Sequence, residues 1–267
     1  MRRFIVAVGL GAGLAWSAAP AWAVEWTVGA GVAAVPDYEG SDDYRAIPVP
    51  LVVANDLYHP ETFVIWRSNQ IWSNLLPNDH LRVGPYLEYI PVRVNVKNNK
   101  VDDMKNNGDS VLMMGARFGY EGHLSGSRGE GNLKSLGFYV TPRFDVLDNN
   151  GALVTFGPVY TGAYNAGQWS VEARLEGTWA SDDYMENAFG VTSADAQRTG
   201  FDKFTAGAGF KNLSGFVQTA YRLTDHWRLT GALGYSRLFG DAKDSPLVDD
   251  VGNANQFLVG LGAAYKF

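Results

Sequence analysis

Asn255-Gln256-Phe257-Leu258-Val259-Gly260-Leu261-Gly262-Ala263-Ala264-Tyr265-Lys266-Phe267 alternates in character residue by residue. Phe257, Val259, Leu261, Ala263, Tyr265 and Phe267 are apolar or aromatic. Gln256, Gly260, Gly262, Ala264 and Lys266 are small or polar, and Leu258 is the exception. Successive side chains of a strand point to opposite faces. One face of this segment therefore suits hydrocarbon, and the other suits a polar or small-residue interior. The closing strand of a soluble β-protein can alternate in the same way, so the rest of the chain has to decide.

The period recurs upstream. Trp169, Val171, Ala173, Leu175, Gly177 and Trp179 interleave with Gln168, Ser170, Glu172, Arg174, Glu176 and Thr178. Leu136, Phe138, Val140, Pro142 and Phe144 interleave with Gly137, Tyr139, Thr141, Arg143 and Asp145. Leu112 to Tyr120 and Trp227 to Tyr235 repeat the pattern. Period 2 over about ten residues is a strand signal, and ~9–11 residues is the length of a membrane-spanning strand. Trp169 and Trp179 share one face ten residues apart, ~33 Å along the strand. At the usual tilt this is ~23 Å along the membrane normal, close to the ~25 Å apolar band between aromatic girdles. Trp169 and Trp179 are therefore candidate girdle residues.

The amino terminus points to export. Arg2 and Arg3 precede an apolar run from Phe4 to Trp16, and Ala21-Trp22-Ala23 has the A-x-A form of a cleavage site. Residues 1–23 read as a signal peptide, and 24–267 as one domain. No stretch reaches the ~20 apolar residues of a spanning helix. The chain has no Cys, which excludes disulfides, thiolate metal sites and lipid attachment at a cysteine. Removing Arg2 and Arg3 from the 22 Lys and Arg leaves 20 against 28 Asp and Glu, a net charge near −8. A nucleic-acid partner would need a basic face, so none is expected. Thirteen per cent aromatic residues and 31 Gly coexist with a slightly negative mean hydropathy. Alternating lipid-facing and lumen-facing residues give that combination.

Strands are expected near 25–35, 46–54, 62–67, 70–75, 81–96, 110–122, 133–147, 151–163, 168–181, 206–223, 226–238 and 255–267. The fold class is therefore all-β, a closed antiparallel transmembrane barrel of about twelve strands, or ten if 62–75 is irregular. With both termini in the periplasm, the long connections 36–45, 97–109, 182–205 and 239–254 fall outside. Two short ones, 67–69 and 148–150, also fall outside; 55–61, 76–80, 122–132, 164–167 and 223–225 fall inside, with Gly122–Asn132 long for a periplasmic turn. The inward register places Arg82, Glu88, Arg117, Arg143, Asp145, Glu172, Arg174, Glu176, Arg222 and Arg228 in the lumen. Such charges can form a salt-bridged plug or line a narrow pore; twelve strands are too few for an open porin.

Chemistry-bearing motifs are sparse. His59, His80 and His123 fall in expected periplasmic turns, and His226 begins a strand. None has metal-ligand spacing to another His. A rim-acting lipid hydrolase would need a His on the opposite rim. The chain reads as no enzyme, with no catalytic residue, metal or cofactor. The acidic stretch Asp37-Tyr38-Glu39-Gly40-Ser41-Asp42-Asp43-Tyr44 and the group Asp241, Asp244, Asp249 and Asp250 do not match a calcium loop. They read as a solvated acidic rim.

Several segments resemble a known family. Pro36-Asp37-Tyr38-Glu39-Gly40-Ser41-Asp42-Asp43-Tyr44-Arg45 with Pro48-Val49-Pro50 resembles the first loop of the MipA/OmpV family, the MltA-interacting proteins. Ser181 to Met185 with Phe189-Gly190-Val191-Thr192, Tyr221 to Trp227, and Ser236 to Val248 followed by Asn255-Gln256 resemble further motifs in the same order. Around 97–135 the chain departs from the family pattern. The terminus resembles the insertion signal of Gram-negative outer-membrane barrels, which implies that Tyr265 and Phe267 are read by the barrel-assembly machinery. The resemblance implies residence in the cell outer membrane, in contact with its lipid. It also implies a scaffold that links a murein lytic transglycosylase to a bifunctional penicillin-binding protein, and it carries no catalytic residues. Gly122–Asn132, with His123, Arg128 and Glu130, is then the candidate periplasmic docking loop. A narrow channel for small solutes is the alternative.

Overall fold

The computed structural model describes residues 24–94, 96–104, 108–127 and 130–267. The expected signal peptide lies outside them. The described residues form twelve strands: β1 (Glu25–Pro36), β2 (Tyr44–Asn55), β3 (Phe63–Arg67), β4 (Gln70–Asn74), β5 (Leu81–Ile90), β6 (Val111–Ser125), β7 (Lys134–Asp145), β8 (Ala152–Tyr164), β9 (Trp169–Ala180), β10 (Gly209–Arg222), β11 (Trp227–Leu238) and β12 (Asn255–Lys266). Each pairs antiparallel with its sequence neighbours. β12 closes on β1 from Thr27↔Lys266 to Ala34↔Val259, so the sheet is a closed barrel. Twelve strands, including the short third and fourth, agree with the period-2 reading. No helix among the described residues is long and apolar enough to cross a membrane.

The alternation becomes geometry directly. Phe257, Val259 and Leu261 of β12 are exposed on the outer face. Gln256 and Ala264 of the same strand are buried on the inner face. Leu136, Phe138 and Phe144 of β7 point out, whereas Ser135, Tyr139, Thr141 and Arg143 are buried inside. A contiguous exposed apolar belt of this extent is compatible with lipid and not with water.

The two ends differ. The end with both termini has short turns. Asn165, Ala166 and Gly167 in the β8–β9 turn all hold positive φ, at 52°, 52° and 75°. At the other end the long connections fold into a cap with five short helices: α1 (Asn99–Asp102), α2 (Asp182–Phe189), α3 (Ser193–Thr199), α4 (Gly240–Asp244) and α5 (Pro246–Asp249). Ser181 caps α2 by accepting from the Tyr184 N–H at 3.5 Å, and Thr192 caps α3 by accepting from the Asp195 N–H at 3.2 Å. Gly200 ends α3 at φ 76° in the left-handed conformation. Tyr184, Met185, Phe189, Leu247 and Val248 of the cap are fully or almost fully buried. They pack with Val111, Met113 and Leu153 of the barrel's inner wall into two apolar clusters.

Three expectations need correction. β5 ends at Ile90 and not at 96, because Pro91 has no N–H to continue a ladder and the chain turns so that Val92 and Arg93 are buried. β6 runs on to Ser125, opposite Lys134, through a register shift between His123 and Ser125. The Gly122–Asn132 connection is therefore a strand extension plus a turn beginning at Gly126. The acidic rim is not uniformly solvated. Asp37 is 1% exposed, accepts from the Lys97 N–H at 2.8 Å and lies 3.7 Å from Arg45. Glu39 pairs with Lys211, and Asp241 accepts from the Gly207 N–H at 2.7 Å. Asp244, Asp249 and Asp250 remain exposed.

Candidate functional site

A cavity of about 1060 Å³ occupies the lumen, from Thr27 and Asn55 at the turn end to Tyr38 and Tyr184 beneath the cap. Its two sides are unlike. On β5 to β9 the inward positions are charged. Arg143 Nε lies 2.9 Å from Glu88, both nearly buried. Arg174 lies between Glu172 at 3.3 Å and Glu176 at 3.0 Å. Arg67 is 3.8 Å from Glu172 and sits over the Trp72 ring at 4.8 Å. Glu176 also accepts from the Tyr139 hydroxyl. These charges are tied to one another, and a cavity remains beside them, so they line the lumen without filling it.

Arg117 is the exception. Among the described residues it has no carboxylate partner. Its Nε donates to Thr141 Oγ1 at 3.1 Å, and its guanidinium sits over Tyr139, Tyr86 and Trp72 at 4.5, 5.1 and 5.6 Å. A guanidinium over aromatic faces is held by their quadrupoles while keeping its full charge. The opposite side of the cavity is aliphatic. Ile47, Val49, Leu51 and Val53 of β2 face inward beside the small residues of β1 and β12. Gly29 and Gly31 face β12 so closely that an added Cβ would lie 2.7 and 2.5 Å from the Ala263 and Leu261 carbonyl oxygens.

The cap holds the lumen's outer end by long-range bonds. The Tyr38 hydroxyl donates to the Leu247 carbonyl at 2.9 Å, and Ser245 Oγ donates to the Phe189 carbonyl at 2.7 Å. Gln256 Oε1 accepts from the Gly40 N–H at 3.0 Å, and its amide donates to the Ser41 carbonyl at 2.9 Å. Burial pushes the Arg93 guanidinium down to about 10, opposed by the nearby Asp195 carboxylate. Burial, with Glu39 beside it, pushes the Tyr184 phenol up. Arg93 and Tyr184 are 4% and 1% exposed, so the cap interior around them is largely closed to water.

The sequence-derived residues fall as follows. Trp169 and Trp179 stand on the outer face at opposite ends of β9. Tyr265 and Phe267 stack edge-on at 5.0 Å, and the Phe267 N–H donates to the Trp26 carbonyl at 2.9 Å. His123 lies on β6 and not in a loop. Its ring is 5.4 Å from that of His80, a pairing that sequence spacing does not show. Glu130 is exposed in the turn and accepts from Asn132 Nδ2 at 3.2 Å. Arg128 lies outside the described residues. Among the described residues, no group of three or more His, Asp or Glu could hold a metal ion. The Arg117 cage and the aliphatic β2 wall were missed as a pair. The odd-numbered run Ile47, Val49, Leu51, Val53 was the available signal.

The family described as "MltA-interacting protein MipA" matches residues 28–267. The MltA-interacting protein of Escherichia coli K12 is 24% identical over 251 residues, 91% of this chain and 90% of that one. Outer membrane protein Omp26La of Vibrio anguillarum is 38% identical over 92 residues. That match covers 34% of this chain and spans only 33% of the relative's length. Among solved structures, the COG4313 outer membrane channel of Pseudomonas putida F1 is similar at 13% identity and a TM-score of 0.42, over 94% of this chain and 97% of that one. Omp26La is named an outer membrane protein, in keeping with the closed barrel and its apolar belt, and the chain is an outer-membrane protein that belongs to the MltA-interacting protein MipA family.

Proposed function

We propose that this barrel is a non-enzymatic scaffold that docks peptidoglycan-remodelling enzymes, a lytic transglycosylase and a bifunctional penicillin-binding protein, at the outer membrane. The turn end of such a barrel faces the periplasm, and a murein enzyme can reach only that end. The observation that carries the reading is the β6–β7 hairpin. β5 begins at Leu81 opposite Tyr120, and β6 continues five residues further, from Glu121 to Ser125, into the periplasmic space. Its turn is braced. Gly131, at φ 62°, packs so tightly on the β8–β9 turn that an added Cβ would lie 2.7 Å from the Ala166 carbonyl carbon. His123 and Glu130 are exposed on this projection, and His80, exposed in the β4–β5 turn, lies beside His123. In the proposed reading Tyr265 and Phe267 direct insertion by the assembly machinery, and Trp169 and Trp179 anchor the barrel in lipid. The relative's name supports a transglycosylase as the partner. Replacing 126–133 by a two-residue turn should leave the barrel folded and weaken pull-down of a lytic transglycosylase by at least ten-fold. Unchanged pull-down would remove the hairpin from the docking surface.

The lumen supports a second reading, a narrow solute channel. Its paired charges and open volume favour it, and the packed cap opposes it. Conductance in planar bilayers separates the two.

A further inference from the structure

β2 has strand neighbours on both sides only from Leu51 to Asn55. Tyr44–Pro50 has β1 as its one strand neighbour; the Pro50 carbonyl is met by Ser68, the Tyr44 carbonyl by Lys97 Nζ, and Arg45 Nη1 donates to the Val94 carbonyl at 2.8 Å, which leaves ~13 Å of edge from Ala46 to Val49 uncovered. The β3–β4 hairpin that would cover it turns at Ser68-Asn69, and β5 ends on the far side of the gap at Ile90. An uncovered edge in hydrocarbon would expose unpaired N–H groups. This chain lacks them where the gap begins. The Pro50 carbonyl accepts from the Ser68 N–H at 3.0 Å, so even-numbered β2 residues turn their backbone groups toward the gap. The next residue of that set is Pro48, and neither proline has an N–H. Across the gap the Tyr89 N–H donates to the Asn69 carbonyl at 2.9 Å, and Asn69 Nδ2 donates to the Tyr89 carbonyl at 2.9 Å. The next residue in that alternation is Pro91. Prolines on both sides show that the missing wall is encoded in the sequence.

The β3–β4 turn that borders the gap is shared by a cleft on the membrane face and by the lumen. On the membrane face a cleft of about 320 Å³ lies among Trp66, Ile71, Leu87, Tyr89 and Leu112 and reaches Ser68 and Asn69. Ser68 and Asn69 also line the lumen. Behind the gap stand the aliphatic inner face of β2 and, across the cavity, the caged Arg117. On this wall Arg67, Arg117, Arg143 and Arg174 outnumber Glu88, Glu172 and Glu176 by one charge, and the cation left over is Arg117; Arg228 of β11 also lines the cavity with no carboxylate partner among the described residues, but without an aromatic cage. The cavity is at the upper end of the size range of small-molecule sites. We propose that the gap between β2 and β5 is a lateral portal through which a single-chain amphiphile with an anionic head passes between membrane and lumen. Its chain lies on Ile47, Val49 and Leu51, and its head on Arg117. This goes beyond the docking role and does not depend on it.

The test uses the full-length protein in phosphatidylcholine vesicles with a photoreactive palmitate carrying a diazirine on its chain. Cross-links should map to Val49 or Leu51, and unlabelled palmitate but not hexadecanol should displace them. Arg117→Gln should weaken labelling at least ten-fold while Arg117→Lys retains most of it, with every variant keeping the heat-dependent gel mobility of a folded barrel. Should Arg117→Gln not fold, Val49→Trp, which fills the chain site, should abolish labelling. Displacement by lysophosphatidylglycerol in preference to palmitate would assign a phosphate head and support the same site. Cross-links confined to outward residues such as Trp66 and Leu87, equal displacement by hexadecanol, or unchanged labelling of Arg117→Gln or Val49→Trp would overturn the proposal. The route is tested separately: Ser68→Cys alkylated with pyrene maleimide should slow labelling from the vesicle phase at least ten-fold, and an unchanged rate would overturn the lateral portal.

Discussion

Side-chain parity governs this molecule at the scale of single residues. Leu233 is among the most exposed residues of the outer belt, and Ala232 beside it faces the cavity. An Arg at Leu233 would face hydrocarbon near mid-strand, at a cost of ~2–4 kcal/mol. An Arg at Ala232 would enter a lumen that holds Glu172, Glu176 and free volume. Urea unfolding in lipid vesicles should show Leu233→Arg strongly destabilised and Ala232→Arg much less so. Equal losses would mean that the assigned faces are wrong. This level was legible in the sequence, because Glu88, Arg117, Arg143, Glu172, Arg174 and Glu176 could be placed inside by counting from outward aromatics. Their partners could not. Arg117 meets Trp72 of β4, Tyr86 of β5 and Tyr139 of β7 only because the barrel brings these strands side by side. The His80–His123 contact is hidden for the same reason.

At the scale of elements, long alternating strands were readable and their ends were not. β9 and β12 were placed to within a residue at each end, since ten alternating residues leave little freedom of register. The end of β5 depended on Pro91, and the extension of β6 on a bulge at His123 that breaks the alternation. The short β3–β4 hairpin was readable as short, but its consequence for the wall was not, because that needs the register of β2 against both neighbours. Pro48 is the informative position. Changing it to Ala would add an N–H that faces the gap with no partner, costing ~1–3 kcal/mol for an unsatisfied donor. The unfolded chain would also gain backbone entropy, a further ~0.4–1 kcal/mol against folding. Both effects have the same sign, so Pro48→Ala should lower the urea midpoint in lipid. An unchanged or higher midpoint would show that β2 is covered there by something other than its strand neighbours.

At the scale of the whole molecule, the barrel is closed by its own loops at one end and open within. Exposure in the cap makes the orientation testable. Ser193 is exposed, whereas Ser41 and Ser245 are 1% and 0% exposed. The chain has no native Cys. On intact cells a membrane-impermeant maleimide should label Ser193→Cys, spare Ser41→Cys and Ser245→Cys, and spare Ser127→Cys at the periplasmic turn. Labelling at Ser127 alone would invert the molecule in the membrane. The cap also decides between scaffold and channel. Leu247 and Val248 of α5 are buried in clusters that also hold Tyr38, Val101, Met104, Phe189, Val191 and Phe201 from three other outer connections, so the outer end is held by apolar packing and the hydrogen bonds of Tyr38, Ser245 and Gln256. Placing a carboxylate at Leu247 would bury a charge without a partner, which cores reject by opening to water. Leu247→Asp should therefore loosen the cap while the strand ladder holds the barrel. In planar bilayers the unaltered protein should conduct little, and Leu247→Asp should conduct measurably more through the charged lumen. A stable conductance of the unaltered protein, insensitive to Leu247→Asp, would mean that the cap does not close the lumen, and the channel reading would then displace the scaffold.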